Sequence, residues 1–265
     1  KLPKAERELL AYLELHPGSH NLREVEDAVK NASQSARSLA RKGFVALTPE
    51  PVGLGAVVPR PAHVLNAHQQ EAFDKIRGAI EAKRFQTFLL YGVTGSGKTE
   101  VYLKAIQATL ALGRGALLLV PEIALTPAMA GQFFHRFGGR VAILHSAFTE
   151  MERAEQWRRI RSGAAPVVVG TRSGVFAPVR DLGLIVVDEE HDASYKQEET
   201  PRYNGRDMAI VRARAAGACV VLGSATPSLE SRYNAEKRKY VIAELPERIE
   251  KRPLPEVELV DMRVE

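Results

Sequence analysis

The chain has 265 residues, 45% of them hydrophobic and 26% charged, which is enough apolar material for one large globular domain or two smaller ones. Its single cysteine, Cys219, excludes a disulfide framework and any thiolate zinc site built from these residues alone. A net charge of +5 permits a nucleic-acid partner without specifying one. With no signal-peptide pattern and no apolar stretch of about 18 residues, the expectation is a cytoplasmic protein with no membrane partner.

Residues 1–48 read as a small separate unit. Leu9, Leu10 and Leu13 share one face of a helix over about 4–15, which His16-Pro17-Gly18 ends. A second short helix fits 22–29, and a third fits 33–42, with Ser33 as N-cap and Gly43 as stop. Phe44-Val45-Ala46-Leu47 then reads as a strand. Three helices and a β element outline a winged helix, whose third helix would carry Arg37, Arg41 and Lys42 toward DNA. A three-helix spacer with an ordinary charged face is the alternative. Residues 49–62, with Pro49, Pro51, Pro59 and Pro61, read as a linker.

Residues 63–247 alternate strand and helix. After a helix from Leu65 to about Ala82, strands fall near 86–91, 115–120, 141–145, 166–170, 183–188 and 218–223. Helices fall near 98–112, 125–137, 150–162 and 206–216. Runs such as Ala116-Leu117-Leu118-Leu119-Val120 are apolar throughout, as strands covered by helices on both faces must be. The expected class is α/β, a parallel sheet with its ligand edge at the carboxyl ends of the strands.

Two stretches at that edge carry chemistry. Gly92-Val93-Thr94-Gly95-Ser96-Gly97-Lys98-Thr99 fits the phosphate-loop pattern between a strand and a helix opening on Glu100. Its glycines let successive N–H groups turn toward phosphate oxygens at a helix N-terminus. Gly92, Thr94, Gly95, Ser96, Gly97, Lys98, Thr99 and Glu100 are thus the candidate nucleotide set. Lys98 would reach the β- and γ-phosphates, and the Thr99 hydroxyl would hold Mg²⁺. The second stretch is Leu184-Ile185-Val186-Val187-Asp188-Glu189-Glu190-His191, a buried strand delivering acids to the same edge. Asp188 would share the Mg²⁺ with Thr99, and Glu189 would orient and deprotonate the attacking water. Pro121–Pro127, Gly170-Thr171-Arg172-Ser173 and Gly223-Ser224-Ala225-Thr226-Pro227 follow other strands. The first two, through Thr126, Thr171 and Arg172, suit nucleic-acid phosphates. The third could sense the γ-phosphate through Ser224 and Thr226.

Together, GVTGSGKTE, LVPEIALTP, GTRSGVFAP, VVDEEHD and GSATPSLES resemble the first, RecA-like P-loop NTPase lobe of the superfamily 2 helicases. Among these, the chain is most similar to the bacterial primosomal helicases of replication restart. SYKQEETPRYNGRDMA, residues 194–209, is close to the aromatic-rich loop of that family. The resemblance implies a 3′-to-5′ ATP-driven DNA translocase, with adenine recognition by Gln69 in a segment where His68 replaces the usual acid. It also implies strand contacts by Thr126 and Arg172, and coupling of DNA binding to hydrolysis through Tyr195, Lys196, Arg202, Tyr203 and Arg206. Tyrosines in such a loop can stack on bases while Lys and Arg neutralise phosphates. Forked or partly single-stranded DNA, primosome proteins and single-strand-binding protein are the implied partners, for a monomer.

The family also has a domain that recognises a DNA 3′ end, a second motor domain and a cysteine-rich zinc module. The first would precede Lys1. The second would open at Val257–Arg263, so residues 248–265 read as a connector, with no zinc expected in these residues. The chain therefore reads as a fragment that binds Mg-ATP but hydrolyses it poorly. A different superfamily 2 translocase, or a docking module with a vestigial ATP site, are the rival readings. A GTPase fits less well, because no Asn-Lys-x-Asp segment is present.

Overall fold

A computed structural model describes residues 2–16, 20, 22, 25–26, 29–47, 64–146 and 148–249. The chain divides into two compact units, Lys1–Gly55 and Ala56–Glu265. The linker expected at 49–62 and the strand expected at 257–263 lie outside the described residues.

In the first unit, α1 (Lys4–Leu15) and α2 (Ala32–Arg41) enclose a small core of Leu9, Val25, Val29, Ala32, Ala36 and Leu39. Leu22, Val25 and Glu26 are helical, within the expected second helix. Asn31, in the left-handed region at φ 63°, is the N-cap of α2 in place of the expected Ser33, and its side chain makes no cap bond. Gly43 ends the helix at φ 76°, and the Phe44 N–H folds back onto the Leu39 carbonyl at 3.0 Å. The strand expected at 44–47 does not form: these residues are bend and coil. A strand needs a partner for its backbone groups, and the described residues of this unit supply none. Lys42 is exposed, but its ammonium is paired, with Nζ 2.8 and 2.7 Å from the two carboxylate oxygens of buried Glu6. Arg37 and Arg41 remain exposed on α2.

The second unit opens with α3 (Ala67–Glu81), followed by β1 (Gln86–Gly92), α4 (Lys98–Ala111), β2 (Gly115–Leu119), α5 (Pro127–Phe137), β3 (Val141–Leu144), α6 (Glu150–Ser162), β4 (Val167–Gly170) and β5 (Leu182–Val187). A two-residue hairpin, β6 (Lys196–Gln197) and β7 (Tyr203–Asn204), precedes α7 (Gly205–Ala216), β8 (Cys219–Ser224), α8 (Leu229–Glu236) and β9 (Val241–Leu245). Seven strands form one sheet in the order β3-β4-β2-β5-β8-β1-β9, and every pairing in it is parallel.

Period-two alternation sorts the strand side chains between two cores. Phe88, Leu90, Leu118, Val186 and Val221 pack under α3, α4 and α5. Leu89, Leu117, Ile185, Val187, Val220 and Leu222 face the other side, with Ile160, Ala209 and Ala235 from the helices there. Both faces are therefore dry, and the expected parallel α/β class holds. Cys219 belongs to the first core, and burial pushes its thiol up to about 11.

Strand β9 was not expected from the sequence. Glu244 interrupts its apolar run, and only Ala243 and Leu245 are buried, as suits an edge strand. No helix among the described residues is long and apolar enough to cross a membrane. Leu118 sits fully buried on the central strand β2. Replacing Leu118 by Ala should lower the unfolding free energy by about 2–5 kcal/mol, measured by denaturant unfolding.

Candidate nucleotide site and the loops around it

The loop after β1 is shaped by absent side chains. A Cβ on Gly92 would lie 2.6 Å from Ser96 Oγ and 3.0 Å from Leu245 Cβ. Gly95 and Gly97 both adopt φ 81°, which disfavours any L side chain. Gly97 then caps α4, so the N–H groups of its first turn open onto the loop. Gln69 braces this arrangement from α3. Its Oε1 accepts the Asn66 N–H at 3.0 Å, closing a capping box, and its Nε2 donates to the Ser96 carbonyl at 2.8 Å. From the other side, the Ile249 N–H donates to the Gly95 carbonyl and Arg248 Nε to the Thr94 carbonyl, each at 3.0 Å. These bonds engage the carbonyls of Thr94, Gly95 and Ser96, and the Ser96 N–H donates to the Val93 carbonyl at 3.0 Å, closing the turn.

The acids arrive from β5, which is separated from β1 only by β8. Asp188 is gripped from two directions. The Tyr102 hydroxyl donates to its Oδ1 at 2.9 Å, and the Tyr195 hydroxyl donates to its carbonyl at 2.7 Å. Burial raises the Asp188 carboxyl above the usual range, while the Tyr102 hydroxyl and the Lys98 ammonium pull it down. Glu189 sits in the left-handed region at φ 44°, unusual for a residue with a side chain. Burial raises its carboxyl too, with the neighbouring Asp188 adding to the shift. Lys98 Nζ donates to the Gly92 carbonyl at 3.0 Å and lies 4.0 Å from Glu189 Oε1.

A cavity of about 510 Å³ is lined by Thr94 through Glu100, Asp188 and Glu189, with Leu103, Gln132, His135, Arg136 and Ile249 completing the wall. The Ser96 hydroxyl is buried there without a hydrogen-bond partner among the described residues. Left-handed glycines, an unsatisfied hydroxyl, an ammonium and two carboxylates on one rim form a donor set that fits a polyphosphate with its cation.

Several loop residues differ from their expected roles. Tyr195 cannot stack on a base, because its side chain is only 1% exposed and packed in the core beneath β5. The tyrosine that stays accessible is Tyr203, half-buried and edge-on to exposed Phe176 at 5.1 Å. Arg172 Nη1 donates to the carbonyls of Ser194 at 2.9 Å and Lys196 at 2.8 Å, so it props the aromatic-rich segment. Arg206 is turned inward as well, its Nη1 donating to Glu190 Oε2 at 3.1 Å and to Ser228 Oγ at 2.8 Å. Lys196 and Arg202 remain exposed. Thr126 caps α5 through the Met129 N–H at 3.2 Å, while Thr171, half-buried, opens the 3₁₀ turn at Arg172–Phe176 without a side-chain cap.

Sequence reasoning missed three residues. Tyr102 looks like an ordinary apolar position on an amphipathic helix. Glu190 is buried and accepts from the Ser228 N–H at 2.7 Å and from the hydroxyls of Ser228 and Ser231 at 3.0 and 2.8 Å. His191 Nδ1 lies 2.8 Å from Ser224 Oγ and its Nε2 lies 3.3 Å from Thr226 Oγ1, linking the acid segment to the loop after β8. The fixed spacing of Glu190 and His191 behind Asp188 was their only sequence signal.

A model of the DEAD/DEAH box helicase family matches residues 66–234, and the chain belongs to that family. Among curated relatives it is similar to Replication restart protein PriA. The protein of that name from Bacillus subtilis is 50% identical over 201 residues, 76% of this chain and 25% of that protein. The one from Chlamydia pneumoniae is 46% identical over 202 residues, covering 76% and 27%. The one from Synechocystis sp. is 41% identical over 276 residues, covering 100% and 33%. The chain thus spans a quarter to a third of the length of these relatives.

Gly223 on β8 leaves the opening through which Tyr102 reaches Asp188, since a Cβ there would lie 1.6 Å from the tyrosine Oη and 2.8 Å from its Cζ. Gly223→Ala should destabilise the protein by about 3 kcal/mol, in the range of overpacked cores. Tyr102→Phe should recover part of that loss in the double variant, because it removes the worse of the two clashes. Thermal melting of the four proteins measures the coupling.

Proposed function

We propose that this chain is the nucleotide-binding lobe of an ATP-driven 3′-to-5′ DNA translocase of replication restart. The observation that carries the reading is the common rim on which Lys98, Thr99, Asp188 and Glu189 line one cavity. Similarity to PriA proteins supports the biological setting, with forked or partly single-stranded DNA, primosome proteins and single-strand-binding protein as partners of the whole protein. The proposed location is the cytoplasm, with the chain acting as a monomer.

The loop N–H groups from Thr94 to Thr99 and the Lys98 ammonium bind the phosphates, the Ser96 N–H giving up the Val93 carbonyl to do so. Lys98 exchanges its present acceptor, the Gly92 carbonyl, for a phosphate oxygen. Gln69 is buried where it braces the loop, and the family resemblance assigns the amide N–H and lone pair that those bonds leave over to the adenine edge. The Thr99 hydroxyl and Asp188 would hold Mg²⁺, which would supply neutralisation of the charge developing on the phosphoryl oxygens. Tyr102 orients the Asp188 carboxylate by occupying one of its oxygens. Glu189 accepts the proton of the attacking water, a role suited to its place on the cavity rim beside Lys98 and Asp188. Ser224 and Thr226, tied to this centre through His191, relay the state of the site to neighbouring loops. On the DNA side, Thr126, Thr171, Lys196, Arg202 and Tyr203 meet the strand, while Arg172, Tyr195 and Arg206 couple through the contacts that hold their loops in place.

Mg-ATP should raise the melting temperature of the chain, and Lys98→Ala should abolish that shift when each protein is compared with its own melting without nucleotide. DNA-stimulated ATP hydrolysis should be very weak in this chain and rise on the order of 10³-fold when a second motor domain supplies a charge-stabilising arginine. Steady-state ATPase assays of both chains measure this, and robust DNA-stimulated turnover by the shorter one would overturn the reading of this chain as one lobe of a two-lobed motor.

A further inference from the structure

Glu100 occupies the first turn of α4, directly after Thr99, and its side chain is only 14% exposed. An acid in that turn complements the helix dipole, yet it stands on the wall of a cavity whose other groups fit a polyphosphate. A carboxylate left uncompensated there would oppose phosphates that carry up to four negative charges. Arg136, one residue before the end of α5, answers it. Its Nη2 pairs with Glu100 Oε1, its side chain is 13% exposed, and it lines the same cavity. The Arg136 Nε is buried without an acceptor among the described residues, so the contact with Glu100 holds the guanidinium by one end. The pair also joins two functional segments. Glu100 moves with the phosphate-binding helix, and Arg136 belongs to the helix that Thr126 caps.

We propose that Arg136 is a positioning residue of the nucleotide site: it cancels the charge of Glu100 beside the phosphates and so sets the affinity of this chain for a triphosphate. Glu100 is thereby a charged neighbour of the nucleotide rather than a ligand to it. The inference rests on the reading of this cavity as an ATP site and deepens it. A latch that served stability alone would be weakened alike by neutralising either partner. Charge cancellation demands opposite signs instead. Removing the arginine exposes an anion to the phosphates, whereas removing the acid frees a cation.

Calorimetric titration of the full chain with Mg-ATP and Mg-ADP tests this, with thermal melting in the absence of nucleotide as a check on folding. Arg136→Met should weaken ATP binding about tenfold, weaken ADP binding less, and lose part of its effect as salt is raised. Glu100→Gln should leave ATP affinity unchanged or tighten it. The double variant should return to within about threefold of the parent, as should Arg136→Lys, which keeps the charge. Equal losses in Arg136→Met and Glu100→Gln, or no loss in Arg136→Met, would overturn the proposal while leaving the nucleotide site intact. If Arg136→Met fails to fold, a weakened Glu100→Gln is enough to refute it. A parent chain that binds no nucleotide, like Lys98→Ala, would overturn the site reading and this proposal with it.

Discussion

The Asp188 carboxylate is held in place by a tyrosine that reaches it across a strand with no side chain in the way. Tyr102 comes from α4, the helix that starts at the phosphate loop, and Asp188 directly follows β5, two strands from β1. Strands in a sheet lie about 4.8 Å apart, so the loop and the acid start roughly 10 Å from each other. Gly223 on the intervening β8 lets the tyrosine hydroxyl into that gap, and burial of the tyrosine beside the half-buried carboxylate makes the hydrogen bond costly to lose. Parallel pairing then brings the carboxyl ends of β1, β8 and β5 to one edge. The position of each candidate catalytic group follows from this stack of three strands.

Around that centre, polar side chains act mostly on backbone and on one another. Glu190 gathers a serine N–H, two serine hydroxyls and Arg206, fixing α7 and α8 to the segment that carries Asp188 and Glu189. Arg172 does the same for the aromatic-rich segment through two carbonyls. A buried carboxylate is tolerated because its lone pairs are used, and losing one partner would leave the others unsatisfied. Any ligand that moves these loops must therefore replace specific bonds, which confines the response to a few alternative arrangements.

The sheet and its candidate nucleotide edge were legible because their determinants are local. Apolar runs such as Val167–Val169 and Leu184–Val187 can only be buried strands, and left-handed glycines beside Lys98 have few structural uses. The elements that were missed, or misjudged, depend on distant partners. Tyr195 and Tyr203 look alike in sequence, and only the packing around β5 buries the first and leaves the second half-open. Arg172 and Arg206 have the composition of DNA-facing cations, but carbonyls and Glu190 take up their guanidinium groups. The strand expected at 44–47 had the right residues and lacked a neighbour, and Lys42 met Glu6 across 36 positions of sequence. Edge strand β9 gave the opposite error, a real strand hidden by one exposed glutamate.

The lone thiol of Cys219 has a practical consequence. It is packed into the core and protonated at neutral pH, so it resists alkylating reagents for as long as the sheet stays closed. Its modification rate is therefore a built-in clock for opening of the sheet. A second cysteine placed on an exposed loop would take up a fluorophore alone, without any need to remove the first.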